Sequence, residues 1–253
     1  MLEPRLLSRL QQKKSQLDAL RPLPTTAVER LHQQLTVEWI YNSNAIEGST
    51  LTLRETQLIL ETGLTIGGKS LREHLEVVKH QEAIVYVESL ITTDEPITPY
   101  HVRQIHNLVL ARIDDESAGQ YRKLPVRIAG SAHQPPEAWE VPGLMEQWGD
   151  WLKGPAQPLH PIERAAVAHH RLVVIHPFLD GNGRVGRLLI TFLLCERDAL
   201  RKPVLYLSHY FKRHRQQYYE RLQAVRDEGV WEAWLEFFLQ GVYEVSQQAT
   251  ETA

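Results

Sequence analysis

Apolar residues recur along most of this chain at the three- and four-residue spacing of a helix. Leu6, Leu7, Leu10, Leu17 and Leu20 predict a first helix closed by RPLPTT, and Val28, Leu31, Leu35, Trp39 and Ile40 give a second its buried stripe. Thr52 with Glu55, and Ser70 with Glu73, have the spacing of capping boxes ahead of two further helical runs. Thr98 caps a helix that opens on Pro99, where a missing N–H costs nothing. More helices are expected at about 141–152, 161–174, 184–197, 209–226 and 230–245. The texture changes only between Gly119 and Pro142. There YRKLPVRIAG and then SAHQPPEAW predict a short strand and a proline-rich return, one hairpin flap in an otherwise all-α, mainly helical protein.

One helix ending is out of character. The run AVERLHQQLTVEWIYN leads into SNAIEG, so Glu47 stands in the last turn with Gly48 as a stop behind it. Helix C-termini carry partial negative charge, and an acid there is unfavourable by roughly 0.3–1 kcal/mol. Nothing nearby in sequence compensates it.

Composition narrows the setting. A chain of 253 residues, 43% of them hydrophobic, suffices for one large domain, or a compact domain with an added lobe, around a real core. The net charge of −3 is dispersed, with no block of like charge to bind nucleic acid or a membrane surface. Cys195 has no second cysteine to pair with, and the apolar run LLITFLLC is far short of the ~20 residues that span a bilayer. The N-terminus lacks a signal peptide's apolar run, so the cytoplasm is the expected compartment.

The chemistry is concentrated in HPFLDGNGRVGR, residues 176–187. Pro177 ends the preceding helix, and GNG frees the backbone just before a new helix begins. Exposed N–H groups of Gly181, Asn182 and Gly183, together with the positive end of the helix dipole, form an anion nest. Arg184 and Arg187, three residues apart, project from the same side of that helix, which points to a polyphosphate. Asp180 offers the hard oxygen that a Mg²⁺ ion bridging phosphates needs, and His176 is the one base in the stretch suited to neutral pH. A competing pattern in HPIERAAVAHHRLVVIH sets Glu163, His170 and His176 seven and then six residues apart, in the manner of metal ligands. Helical metal sites more often use pairs four residues apart, and His169 and His170 point about 100° away from each other.

The motif H-P-F-x-D-G-N-G-R-x-x-R resembles the signature of Fic-domain proteins at every defined position. The AGQYRKLPVRIAG region is similar to the flap of that family. The resemblance implies a helical Fic fold: an N-terminal lobe over 1–95, a core over 96–245 and a tail over 246–253. It implies transfer of AMP from ATP to a Ser, Thr or Tyr hydroxyl of a target protein. His176 would be the base, Asp180 would hold Mg²⁺, and the amides of Gly181, Asn182 and Gly183 would bind phosphate oxygens. Arg184 would face the leaving pyrophosphate and Arg187 the γ-phosphate, while Phe178 would support the loop. Val126, Arg127 and Ile128 would pair with an extended target segment, and Tyr218 and Tyr219 would border adenine. Where some relatives have asparagine, this chain reads AVRDEG and offers Arg226 and Asp227.

The resemblance also explains SNAIEG. Fic proteins with an S/T-x-x-x-E-G/N segment ahead of the core use its glutamate to obstruct the site. Ser43, Glu47 and Gly48 fit, with the serine hydroxyl expected to orient the carboxylate and the carboxylate expected to form a bidentate pair with Arg187. Some relatives use that glutamate in the reverse reaction, removing AMP. A non-enzymatic reading, a nucleotide-binding interaction module, has no need of an intact base and two arginines. Expected partners are ATP and a hydroxyl-bearing target, which can be a second copy of the chain, and a homodimer accords with the family.

Overall fold

The computed structural model describes residues 25–93, 95–128, 133–196 and 206–252 throughout, with single positions between 5 and 15. The helix expected from Leu6 to Leu20 lies largely outside the described residues, as does the hairpin tip at 129–132. The described helices are α1 (Thr25–Ile46), α2 (Leu53–Thr62), α3 (Leu71–Thr93), α4 (Pro99–Leu110) and α5 (Val141–Lys153). They continue with α6 (Pro161–Ile175), α7 (Asn182–Cys195), α8 (Ser208–Arg213), α9 (Arg215–Glu228) and α10 (Trp231–Thr252). None of them is long and apolar enough to cross a membrane.

The caps read from sequence are present. Thr52 and Glu55 exchange side-chain and backbone bonds of 2.7 and 3.2 Å, Ser70 and Glu73 do the same, and Thr98 accepts from the N–H of His101. Two boundaries moved for local reasons. α7 starts at Asn182, two residues ahead of Arg184, because Gly181 takes the left-handed conformation (φ 77°) and turns the chain into the helix. The helix expected over 209–226 is divided at His214, whose φ and ψ of −111° and 36° interrupt it while its ring packs 4.5 Å from Tyr210.

α7 is the axis of the molecule. Every residue from Arg184 to Cys195 on it is buried, the pattern of a helix surrounded on all sides. α6 packs along one side, α3 and α4 along another, and α1 crosses near its N-terminus. α6 is held in turn by Trp148 of α5 and Trp234 of α10, whose indole N–H groups donate to the carbonyls of Ala168 and Ala166 at 3.1 Å each. Beside them Phe211, Tyr218, Trp234, Phe237 and Phe238 form an aromatic cluster that joins α8, α9 and α10. The first two turns of α7 bury Arg184 and Arg187, each 3% exposed, and a buried guanidinium requires compensating partners.

The expected hairpin is corrected. Residues 119–128 and 133–140 contain no strand. Pro125, Pro135 and Pro136 remove ladder donors, and the segment's strongest anchor lies elsewhere. Buried Arg122 donates to the carbonyls of His176 (2.8 Å), Leu124 (3.2 Å) and Pro136 (2.5 Å), and its own backbone N–H donates to Pro177 (2.9 Å). The first arm is thereby tied to the α6–α7 loop, and the second is tied to the first through the same side chain rather than through a ladder.

Candidate active site

α6 stops at Ile175 because Pro177 cannot continue it, and His176 turns the chain with φ 49°, a left-handed conformation uncommon outside glycine. That turn presents the imidazole to a cleft of about 880 Å³, a size that suits a nucleotide, lined also by Glu47, Gly183, Arg187, Tyr219 and Arg226. Nδ1 of His176 faces the Val173 carbonyl at 3.4 Å. A carbonyl only accepts, so Nδ1 carries the hydrogen and Nε2 keeps its lone pair. Burial, reinforced by Arg122 and Arg226, lowers the pKa to about 4, which leaves the ring an unprotonated base at neutral pH.

The loop after His176 is braced from within. Asn182 accepts from the Phe178 N–H at 3.0 Å and donates to the Phe178 carbonyl at 2.9 Å, closing 178–182 with its side chain. The Phe178 ring stacks on His106 of α4 with centroids 3.6 Å apart. His106 Nδ1 accepts from the Gly119 N–H at 3.0 Å, which leaves its Nε2–H to donate to the Asp180 carbonyl at 3.1 Å. Desolvation holds His106 neutral, with a pKa of about 4. Gly181 has no alternative: with φ 77°, a Cβ there would lie 2.9 Å from Leu110.

Glu47 meets this loop from α1. Its Oε1 receives Nη2 of Arg187 at 2.7 Å, and a Cβ on Gly183 would stand 2.2 Å from the same oxygen. The carboxylate therefore rests on the first turn of α7, where the helix dipole is positive. Ser43 acts differently from expectation. Its hydroxyl accepts from Arg187 Nε and its carbonyl from Nη2, both at 3.0 Å, so it orients the arginine rather than the carboxylate. The Glu47 pair is accordingly made through one carboxylate oxygen instead of two: the Ser43 carbonyl shares the nitrogen that Glu47 uses. Gly48 takes φ 102° immediately after, the stop read from sequence.

Arg184 lies between two acids, 3.2 Å from Asp180 Oδ2 and 3.4 Å from Glu76 of α3. Asp180 is about half exposed, and a second cation, Arg72 of α3, reaches the same Oδ2 at 2.5 Å. Nearby positive charge and the Gly181 N–H outweigh burial and lower its pKa. As a donor set this is a single accessible carboxylate. It fits Mg²⁺, which keeps water and phosphate oxygens, and does not fit a metal caged by protein. No cluster of three or more histidine, cysteine or acidic side chains suited to a metal occurs among the described residues. The alternative set around Glu163 does not assemble, because His170 donates Nε2–H to the Leu222 carbonyl at 3.2 Å and packs on Trp231.

The tyrosine pair divides. Both line the cleft, but Tyr218 is 2% exposed, with its hydroxyl 2.8 Å from His169 Nε2 and its ring stacked on Phe211, whereas Tyr219 is 42% exposed. Arg226 and Asp227 lie on the cleft wall, as does Ile128, with Val126 half-buried and Arg127 exposed beside it. Sequence reasoning missed Arg72, Glu76, His106 and Arg122. Helical periodicity could place Glu76 and His106 on inward faces, but only tertiary neighbours reveal what they, Arg72 and Arg122 hold.

Fold and site together define a helical protein that gathers an unprotonated imidazole, a glycine-rich helix start and two buried arginines in one region. Residues 96–194 match the Fic/DOC family, and the chain carries a domain of that family. It is 41% identical over 196 residues to the protein adenylyltransferase Fic of Nematostella vectensis, covering 76% of this chain and 45% of that one. It is 37% identical over 230 residues to that of Aedes aegypti, covering 89% and 44%. The chain thus spans a little under half the length of these relatives. Among solved structures, Fic-1 (residues 134–508) of C. elegans superposes with a TM-score of 0.81 at 29% identity, covering 96% of this chain and 71% of that one. A Fic-domain-containing signalling protein of Bacteroides thetaiotaomicron gives 0.83 at 26% identity, covering 96% of both.

Proposed function

We propose that this chain is a protein adenylyltransferase that moves AMP from ATP to a hydroxyl of a target protein and is restrained by Glu47. The observation that carries the reading is the unprotonated Nε2 of His176, opening on one cleft with Gly183 and Arg187. His176 Nε2 takes the proton as the target oxygen attacks the α-phosphorus, the bond to the β-phosphate oxygen breaks, and pyrophosphate leaves. The nest at Gly181–Gly183 and Arg184 meet the developing phosphate charge, and Arg187 holds the γ-phosphate. Asp180 would hold Mg²⁺, which supplies charge neutralisation on the α- and β-phosphates. Tyr219 offers an open aromatic face to adenine, Tyr218 backs it from the core, and residues 126–128 border the approach of the target segment.

Glu47 competes with this arrangement. It engages the arginine intended for the γ-phosphate and its oxygen lies against Gly183, where a phosphate oxygen belongs. ATP that enters is misaligned, and an error of about 1 Å at the reacting centre costs on the order of a hundredfold in rate. Incubation with Mg²⁺ and α-labelled ATP checks both roles. Glu47→Gly is expected to raise labelling of itself or of lysate proteins by at least about tenfold, and Glu47→Gly with His176→Ala to abolish it. An unlabelled Glu47→Gly protein rejects the transferase assignment. Release of AMP from a modified target by the wild type, lost in Glu47→Gly, reverses the direction of the reaction.

A further inference from the structure

The α3 helix brings a second restraint to the same site. Arg72, Asp180, Arg184 and Glu76 form a closed ring of alternating charge: Arg72 to Asp180 Oδ2 at 2.5 Å, Arg184 to that oxygen at 3.2 Å, and Glu76 Oε1 to Arg184 at 3.4 Å and to Arg72 at 3.1 Å. The two cations differ in kind. Arg184 is buried and fixed by α7, whereas the Arg72 side chain is 55% exposed and reaches across from another helix. Meanwhile Oδ1 accepts the Gly181 N–H at 2.6 Å, so both carboxylate oxygens are engaged and Oδ2 carries the two cations. An exposed guanidinium on the Asp180 carboxylate occupies the place where a divalent cation would bind.

We propose that Arg72 is a positioning residue that competes with the divalent cation for Asp180, setting the cation concentration at which the nucleotide is correctly held. The inference rests on the reading of this cleft as a cation-assisted nucleotide site. Entry of the cation releases Arg72 from Asp180, and Glu76, four residues along the same helix, keeps the freed guanidinium beside the site. The restraint is distinct from that of Glu47: Glu47 acts on the γ-phosphate arginine, and Arg72 acts on the cation carboxylate.

The test uses the full chain carrying Glu47→Gly, with α,β-methylene-ATP as an unreactive nucleotide and Mn²⁺ followed by electron paramagnetic resonance. Calorimetry of the nucleotide without metal runs in parallel. Arg72→Gln is expected to lower the Mn²⁺ concentration for half-saturation about fivefold, the scale of losing one half-exposed ion pair, while leaving metal-free nucleotide affinity unchanged. Arg72→Lys, whose single ammonium cannot satisfy Asp180 and Glu76 together, shifts it in the same direction by less. An unchanged or raised Mn²⁺ requirement in Arg72→Gln overturns the proposal, as does a weakened metal-free affinity, which would make Arg72 a phosphate ligand. Absence of nucleotide binding in the Glu47→Gly parent overturns the functional reading and this inference with it; normal binding with no difference at Arg72 overturns this inference alone.

Discussion

Asn182 marks the difference between a residue's type and its task. In the GNG triplet it reads as backbone for an anion nest, yet its amide closes the loop on both polar groups of Phe178 and is 3% exposed. Asn182→Ala leaves a buried N–H and a buried C=O without partners and is expected to cost about 1–3 kcal/mol, read as a lower urea midpoint at unchanged slope. Asn182→Asp keeps the acceptor for the N–H but sets an oxygen against the Phe178 carbonyl, so it should also destabilise. Glu47 shows the reverse case, a residue in the wrong place by local rules. Its charge opposes the dipole at the end of α1, and the start of α7 with Arg187 offsets that cost. Because the carboxylate is 39% exposed, the pair stabilises the fold by no more than about 1 kcal/mol, small enough for ATP phosphates to displace.

At the scale of elements, Arg103, His106 and His133 each fasten the segment between α4 and α5 once, and Arg122 fastens it at several points. Arg122 is 3% exposed and, with its own backbone N–H, joins Pro136 to the turn carrying His176. Arg122→Ala is therefore expected to loosen two things together. Amide exchange should quicken across 119–128 and 172–178, and the KM for a protein target should rise more than the KM for ATP. Arg122→Lys supplies one donor site where the guanidinium supplies three, so it should restore only part of the protection. Exchange unchanged in the turn at His176 would show that this residue is held by α6 alone.

Across the whole molecule, histidines set the response to acid. Burial lowers His106, His170 and His176 to about 4 and His169 to about 3, against about 6.5 for an unfolded chain. The unfolded state thus binds more protons between pH 6.5 and 4. Stability is complete above about pH 6.5 and is lost as the pH falls toward 4, roughly 2 kcal/mol per histidine by pH 5. Urea unfolding at pH 7.5 and 5.0 should show a loss of several kcal/mol, with uptake of more than two protons on unfolding at pH 5.0. By contrast His176 itself stays deprotonated in that interval, so activity per folded molecule should hold until near pH 4. A midpoint that does not move between the two pH values would contradict the buried neutral assignment.

The sequence by itself determined what depends on neighbours within a turn or two. The capping boxes at Thr52 and Ser70, the stop at Pro177, the helical periods and the order of groups in HPFLDGNGRVGR are local, and each follows from backbone geometry and spacing. Tertiary structure decided the pairings across long separations. It set Glu47 against Arg187 through a single oxygen, turned Ser43 to the arginine, brought Arg72 to Asp180 and dissolved the expected hairpin into a strap held by Arg122. A hydrogen bond or ion pair has no preferred sequence separation, so which donor reaches which acceptor is fixed only when the helices pack. The awkward acid of SNAIEG announced that a distant partner was needed, and only the crossing of α1 over α7 determined how it would be met.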